Sequence, residues 1–439
     1  MKILKFGGTS VGKPERMRQV ASLISDNKEK KIVVLSALSG TTNDLVNIGE
    51  LLFQKQKDQT IEKIEDLYSH YLNFHKELFQ SEIKKSEALI IINRHFDFIR
   101  SLENSFFNNR LNNELLAQGE LLSTQLFQLY LEENKINSTL IPALDFMYID
   151  EDKEPDIPYI KDHLEPILDL NSGFDILITQ GYICRNHEGE IDNLRRGGSD
   201  YTATLMGAAL LAEEVQIWTD IDGMHNNDPR VVDKTYPISE LSFNEASELA
   251  YFGAKILHPS SIWPVQKFQV PVRLKNTMDP HAHGTYISSK EELKKIKAIA
   301  AKDNITAIKI KSSRMLMAYG FLKRVFQIFE NYRTPIDMIT TSEVAVSLTI
   351  DDKSSLNEIV NEISNFADVV VDKNQSIICI VGNLIAEKEE VLQKVFRALE
   401  AIPVRMISYG GSKYNISVLV ETKHKVSALK ELNKYVFEL

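Results

Sequence analysis

At 439 residues the chain is long enough for two to four domains, each burying its own core. Its 43% hydrophobic and 26% charged residues, with 19 Gly and 13 Pro, exclude collagen, low-complexity disorder and coiled coil. A formal charge of −10 repels nucleic-acid phosphates and anionic lipid, so neither a nucleic-acid partner nor a membrane partner is expected. Cys184 and Cys379 are too few for a disulfide framework or a cysteine-built zinc site. The first residues, with Lys2, Lys5, Gly7 and Gly8, lack a signal peptide's apolar centre, and no apolar run approaches the ~18 residues of a membrane span. A cytoplasmic protein with reduced thiols is expected.

In chain order, Ile3, Leu4 and Phe6 predict a strand. Met17, Val20, Ala21, Leu23 and Ile24 predict a helix, and Ile32 to Leu35 a second strand. That βαβ opening implies an α/β fold with a parallel sheet and a right-handed crossover. From about Leu51 to Leu131 the texture is helical, with neither Gly nor Pro before Gly119, and it predicts helical cover. Strands return at Thr139 to Ile141, Ile176 to Ile178 and Val215 to Trp218, each followed by a polar or Gly-containing loop of the kind that binds ligands in α/β sheets. A Lys/Glu-rich run from Lys290 to Lys297 marks a boundary after about Ser289.

The tail repeats itself. Leu322, Val325, Phe326 and Glu330 are echoed 70 residues later by Leu392, Val395, Phe396 and Glu400, and Pro335, Met338 and Ile339 are echoed 68 residues later by Pro403, Met406 and Ile407. Two tandem α+β modules are expected, each a helix leading to a strand.

Several loops carry candidate chemistry. In Lys5 to Val11 adjacent glycines let the backbone approach a ligand, and a helix starting near Pro14 adds a favourable dipole, which together make a phosphate cradle. Gly7, Gly12 and Lys13 imitate a P-loop, but Pro14 fills the hydroxyl position and excludes it. Ser36 to Asn43 offers hydroxyls and backbone donors to an oxyanion, although such loops are commonly helix caps. Glu120 is an isolated acid in a helical region, where solvation is the ordinary outcome. Arg195 to Asp200 joins two guanidiniums, a Gly pair, a hydroxyl and an acid, a set suited to one anion. Trp218 to Gly223, followed by Asp228, Pro229 and Arg230, ends a strand in acids and an arginine. Lys255 follows a Gly-Ala pair in Phe252 to Pro259. His281 and His283 lack further ligands, so no protein-built metal site is expected.

In this order the motifs resemble the aspartokinases of the amino-acid kinase superfamily. Lys5 to Val11, Ser36 to Asn43, Gly119-Glu120, Arg196 to Asp200, Trp218 to Arg230 and Phe252 to Pro259 cover the catalytic part. Gly320 to Leu322, Ile339 to Glu343 and Gly410 to Ser417 resemble that family's paired ACT modules.

The resemblance implies an amino-acid kinase fold, a mostly parallel sheet flanked by helices, over 1–289. It implies a linker and first ACT-like, ferredoxin-like module over 290–375 and a second module over 376–439 that borrows a strand near 296–301. It also implies transfer of the γ-phosphoryl group of ATP, with Mg²⁺, to the β-carboxylate of L-aspartate, the first step towards lysine, threonine, methionine and isoleucine.

By the same likeness Lys5, Asp200 and Lys255 are catalytic. Ser36, Thr42, Glu120, Arg196 and Ser199 bind substrate, with Arg196 on the α-carboxylate and Glu120 on the α-ammonium. Lys5, Gly7, Gly8, Ser10, Thr219, Asp220, His225, Arg230 and Lys255 face the nucleotide, His225 standing where the family often has Tyr. An amino-acid effector, lysine or threonine, is expected near Met315, Gly320, Phe321, Leu322, Asp337, Thr341, Ser342 and Glu343, with Pro335 where lysine-sensitive relatives often have Ser. A monofunctional homodimer or homotetramer joined through the ACT modules completes the expectation. The rivals are a sibling kinase acting on N-acetylglutamate or another small acid, and a catalytically inactive amino-acid sensor.

Overall fold

The computed structural model describes residues 1–253, 257–292, 296–312, 319–387 and 389–439, which form two compact units. The first unit centres on an eight-stranded sheet. Its strands are β1 (Lys2–Phe6), β2 (Lys31–Leu35), β3 (Ser138–Leu140), β4 (Ile176–Gln180), β7 (Glu214–Thr219), β8 (Glu240–Ser242), β9 (Val272–Asn276) and β10 (Thr285–Ser288), and a separate hairpin pairs β5 (Ile183–Arg185) with β6 (Ile191–Asn193). The order is β3-β4-β2-β1-β7-β9-β10-β8, and every neighbouring pair is parallel except β9 with β10. Every residue of β2 and β4 is buried, as strands covered on both faces must be, which explains the apolar runs Ile32 to Leu35 and Ile176 to Ile178 within them.

Helix Pro14–Ser25 makes the first crossover. Pro14 stands at its start, where a missing N–H is harmless, and Met17, Val20, Ala21 and Ile24 face inward. The helical cover consists of Lys57–Leu78, Glu82–Ser101 and Asn109–Glu133, the last capped by the Asn108 side chain, which accepts from Leu111 N–H. Phe96 is fully buried there, edge-on to Tyr68 and Tyr71. Such an aromatic contributes about 2–3 kcal/mol by burial.

The second unit is built on a six-stranded antiparallel sheet: β11 (Ile296–Lys311), β12 (Ile339–Thr341), β13 (Ala345–Ile350), β14 (Asp368–Gly382), β15 (Val404–Ser408) and β16 (Asn415–Glu421), in the order β12-β13-β11-β14-β16-β15. The long strands β11 and β14 serve both halves. Ile296 to Lys302 pair with Ile377 to Gly382, and Ala307 to Lys311 pair with Asp368 to Asp372, with register shifts in between. Asn304 and Asn374, both with positive φ, mark that junction. Helices Phe321–Asn331 and Leu356–Ser364 cover one half around Ile308, Ile310, Val325 and Phe329. Helices Glu389–Ala398 and Lys425–Phe437 cover the other around Ile378, Ile380, Val395 and Leu432. The repeat in the tail is therefore two half-sheets fused edge to edge.

This unit also takes in residues 225–238 and 244–253 from earlier in the chain. Val232 sits in the core with Ile299 and Ile378. Ile299 N–H donates to Asn226 O at 2.8 Å, and the Asn226 and Asn227 amides donate to Asn433 Oδ1 at 3.4 and 3.3 Å. Asn433 returns a hydrogen bond to Lys234 O at 3.1 Å. All three asparagines are buried, so each amide needs these partners.

Candidate active site

The candidate residues of the first unit gather at the C-terminal ends of its parallel strands, the edge where open α/β sheets bind ligands. Lys5 is the penultimate residue of β1, and its ammonium lies 2.5 Å from Asp200 Oδ1. The approach is ionic, because Asp200 Oδ1 takes part in no directed hydrogen bond among the described residues. The lysine also folds over the loop, so that a Cβ on Gly7 would stand 3.3 Å from Nζ. Gly7 is followed by a short helical turn of its own, Gly8–Val11, ahead of the helix at Pro14. The cradle therefore presents the N-terminus of that turn, not of the longer helix. Gly8 packs on the next loop, where a Cβ would meet Ala37 O at 3.0 Å.

Ser36 leaves β2 with its N–H bonded to Phe6 O at 3.2 Å, which ties the two loops together. Its carbonyl accepts from Ser123 Oγ at 2.8 Å. Thr42 is half-buried in the first turn of helix Thr41–Phe53, beside Thr41, which bonds Tyr71 OH at 3.0 Å.

Glu120 departs from the solvated expectation. It is 3% exposed, and Oε1 accepts from Ala37 N–H at 3.1 Å, while Oε2 is buried with no hydrogen-bond partner among the described residues. Burial pushes its carboxyl up to about 8, against the pull of the Ala37 N–H and of Lys5. The cause of its depth is the preceding Gly119, where a Cβ would be 2.8 Å from Ala37 Cβ; the glycine draws the helix onto the loop.

Gly197, with φ +76°, caps helix Gly198–Ala209, so Ser199 and Asp200 lie inside the first turn, where an acid is favoured. Arg196 is exposed on the turn ahead. Thr219 ends β7; its carbonyl accepts from Thr277 N–H at 2.8 Å and its hydroxyl donates to Asp220 at 3.1 Å.

Residues 1–276 match the model of the Amino acid kinase family, and 378–435 match that of an ACT domain. The chain is 33% identical, over 99% of both chains, to "Lysine-sensitive aspartokinase 3" of Escherichia coli (strain K12). It belongs to the aspartokinase family. Identity is also 33% with "Aspartokinase 1, chloroplastic" of Arabidopsis thaliana, across 99% of this chain and 80% of that one. Among solved structures, E. coli aspartokinase III in complex with aspartate and ADP (R-state) matches with a TM-score of 0.87 at 32% identity, covering 100% of both chains. The same enzyme in complex with lysine and aspartate (T-state) matches with a TM-score of 0.81, covering 100% of this chain and 99% of that one. The fold is the amino-acid kinase fold with a C-terminal ACT sheet, as its motifs lead one to expect.

In this aspartokinase the remaining expected site residues fall in the second unit or outside the described residues. His225 and Arg230 belong to the second unit, where His225 Nδ1 meets Thr235 Oγ1 at 3.2 Å and Arg230 makes a two-pronged pair with Asp228 at 2.8 and 2.9 Å. Lys255 and Met315 lie outside the described residues. Gly320, with φ +87°, precedes Phe321 and Leu322 at the start of helix Phe321–Asn331, and Phe321 packs edge-on against Phe366. Asp337 is 2% exposed at its side chain and pairs with Lys302 at 2.8 Å. Burial holds its carboxyl above the ordinary range, and Oδ2 has no hydrogen-bond partner among the described residues. Thr341, Ser342 and Glu343 are exposed in the β12–β13 hairpin.

Three neighbours of the site escaped the sequence reading. Thr277 Oγ1 meets Ser10 Oγ at 2.8 Å across 267 residues of chain, His258 packs on Gly197, and Tyr182 packs on Gly198. Only His258 lay inside a motif already singled out.

Proposed function

We propose that the polar edge built from Lys5, Ser36, Glu120, Arg196 and Asp200 aligns L-aspartate with ATP. The chain is an ATP-dependent aspartate kinase that forms 4-phospho-L-aspartate. The observation that carries this reading is Oε2 of Glu120, without a hydrogen-bond partner among the described residues, on a buried acid within electrostatic reach of Lys5. A free amino acid brings the ammonium that such an acid lacks; an N-acetylated substrate does not.

The attacking β-carboxylate is already ionised, so no general base is needed. Its oxygen bonds to the γ-phosphorus as the bond to the bridging oxygen of ADP breaks. Catalysis then rests on alignment and on neutralising charge. One added cation at ~4 Å supplies roughly 4 kcal/mol at an effective dielectric of 20. Lys5, with Gly7, Gly8 and Ser10, faces the phosphates; Thr219 and Asp220 face the nucleoside; Arg196 takes the α-carboxylate; Ser36, Thr42 and Ser199 line the substrate. His225, Arg230 and Lys255 keep the nucleotide contacts the family likeness gives them.

The described residues contain no cluster of three candidate metal ligands. Mg²⁺ suits that donor set, because it is held chiefly by phosphate oxygens and water with one or two carboxylates, here Asp200. When bound it neutralises phosphate charge.

Functionally we divide the chain into a catalytic part, 1–289, and two modules, 290–375 and 376–439. Lysine is the effector we favour, since the bacterial relative is named for its sensitivity to it and Asp337 offers a buried oxygen to an ammonium. Partly exposed Leu322, Phe326, Ile339 and Val344 support self-association through the first module. Cys184 and Cys379 are buried free thiols, in keeping with a cytoplasmic setting.

The full chain with ATP and aspartate should yield an acyl phosphate trapped by hydroxylamine. Phosphorylation of N-acetylglutamate instead would select the sibling kinase, and no turnover with either acid would select the sensor.

A further inference from the structure

The turn that carries Arg196 is unusual in backbone and in setting. Arg195 has φ +60° and Gly197 φ +76°, and Gly198 N–H closes the turn onto Arg195 O at 3.0 Å. Left-handed residues this close together are held only by what surrounds them. On one side is His258: a Cβ on Gly197 would stand 2.4 Å from His258 Cβ and 2.9 Å from Cγ, so backbone and side chain are in direct contact. On the other is Tyr182, 2.7 Å from where a Cβ on Gly198 would be. Tyr182 is itself fixed, its N–H donating to Thr202 Oγ1 at 3.0 Å and its carbonyl accepting from Leu194 N–H at 2.8 Å.

His258 is fixed in turn by the short helix it caps. Nδ1 meets Ser260 Oγ at 2.7 Å and accepts from Ser260 N–H at 3.4 Å. With Nδ1 an acceptor, the proton sits on Nε2. Burial first, and then the Arg196 guanidinium, hold the imidazole below its ordinary pKa, while Asp200 pulls the other way. An uncharged ring can therefore press on an arginine-bearing turn without repelling it.

We propose that His258 is a positioning residue for Arg196, buttressing the Arg195–Gly198 turn against Tyr182 and so setting where the guanidinium meets the α-carboxylate of aspartate. The inference rests on the reading of Arg196 as the carboxylate-binding residue. A histidine that only stabilises the fold would affect both substrates alike; one that aims Arg196 affects aspartate.

The test uses the full chain with Arg196→Ala, His258→Ala, His258→Asn and the double variant Arg196→Ala/His258→Ala, with KM for aspartate, KM for ATP, kcat and Tm measured for each. Arg196→Ala should raise KM for aspartate by roughly tenfold or more, the scale of a lost charge-assisted hydrogen bond. His258→Ala should raise it several-fold with KM for ATP within about twofold, and His258→Asn, whose side-chain oxygen can replace Nδ1, should restore most of the loss. In the double variant the histidine's effect should vanish, because it acts through the arginine. Full additivity, or equal increases in both KM values, overturns the proposal. An Arg196→Ala variant with unchanged KM for aspartate overturns the carboxylate reading beneath it.

Discussion

The Lys5 ammonium and the Asp200 carboxylate face each other at 2.5 Å with 12% and 13% of their side chains exposed. The pair sits where β1 ends and helix Gly198–Ala209 begins, so one lysine reaches a helix start and a phosphate loop together. Removing Lys5 should take away a preorganised donor for the transferring group. Lys5→Ala should lower kcat by about 10²- to 10³-fold. Because Asp200 acts partly by holding Lys5, adding Asp200→Asn should cost little more. Hydroxamate formation under saturating substrates measures both, and unaltered turnover in Lys5→Ala would remove this residue from the chemistry.

Glu120 makes the ligand-free chain sensitive to pH. Burial raises its carboxyl from 4.5 to about 8, so between those values the folded state holds a proton that the unfolded state has lost. Stability should therefore fall as pH rises through that window, by the sign of proton linkage. Glu120→Gln should flatten this part of a Tm-against-pH series. Aspartate binding should favour the ionised acid, so KM for aspartate should drop towards pH 8 in the native chain and lose that slope in Glu120→Gln. A pH-independent KM in the native chain would count against an ammonium at Glu120.

Gly197 and Gly40 both have positive φ, but only Gly197 lacks room for a side chain. Gly40→Ala, in open space, should cost about 1 kcal/mol of backbone strain. Gly197→Ala adds an overlap with His258 and should cost a further ~1–3 kcal/mol. Urea unfolding compares them, and equal losses would mean the turn relaxes around the new methyl.

In the regulatory sheet, Lys302 has two acidic partners, Asp337 at 2.8 Å and Asp351 at 2.9 Å. Asp337→Asn thus leaves Lys302 compensated while withdrawing the anionic oxygen offered to an effector's ammonium. The lysine concentration for half-inhibition should rise at least ~10-fold, the scale for a hydrogen bond to a charged group. Inhibition assays with lysine and threonine, singly, check this, and unchanged sensitivity to an effector that does inhibit would place its ammonium elsewhere.

How much of this was legible varied with the distance over which each residue acts. The opening βαβ unit could be read because Ile3 to Phe6 and Ile32 to Leu35 are local apolar runs, and the fused ACT halves because Leu322 and Leu392 head two copies of one pattern. The depth of Glu120 could not be read, since it depends on Gly119 meeting Ala37 from a different element. Neither could the approach of His258 to Gly197 or the Ser10–Thr277 contact, which the sheet alone brings together. Loop chemistry therefore nominated the site, and only tertiary packing separated its members from their supports.

The asparagines at 226, 227 and 433 join the C-terminal helix to a strap, residues 225–238, whose chain comes from the first unit and returns to it. Evolution by simple fusion of a sensor to an enzyme leaves the two stretches of chain separable; here the sensor's interior is finished with a piece of the enzyme's own thread. A scissor cut at 289 would strip Val232 from that interior and orphan Asn433, so a regulatory fragment excised there should melt below the same region in the intact chain.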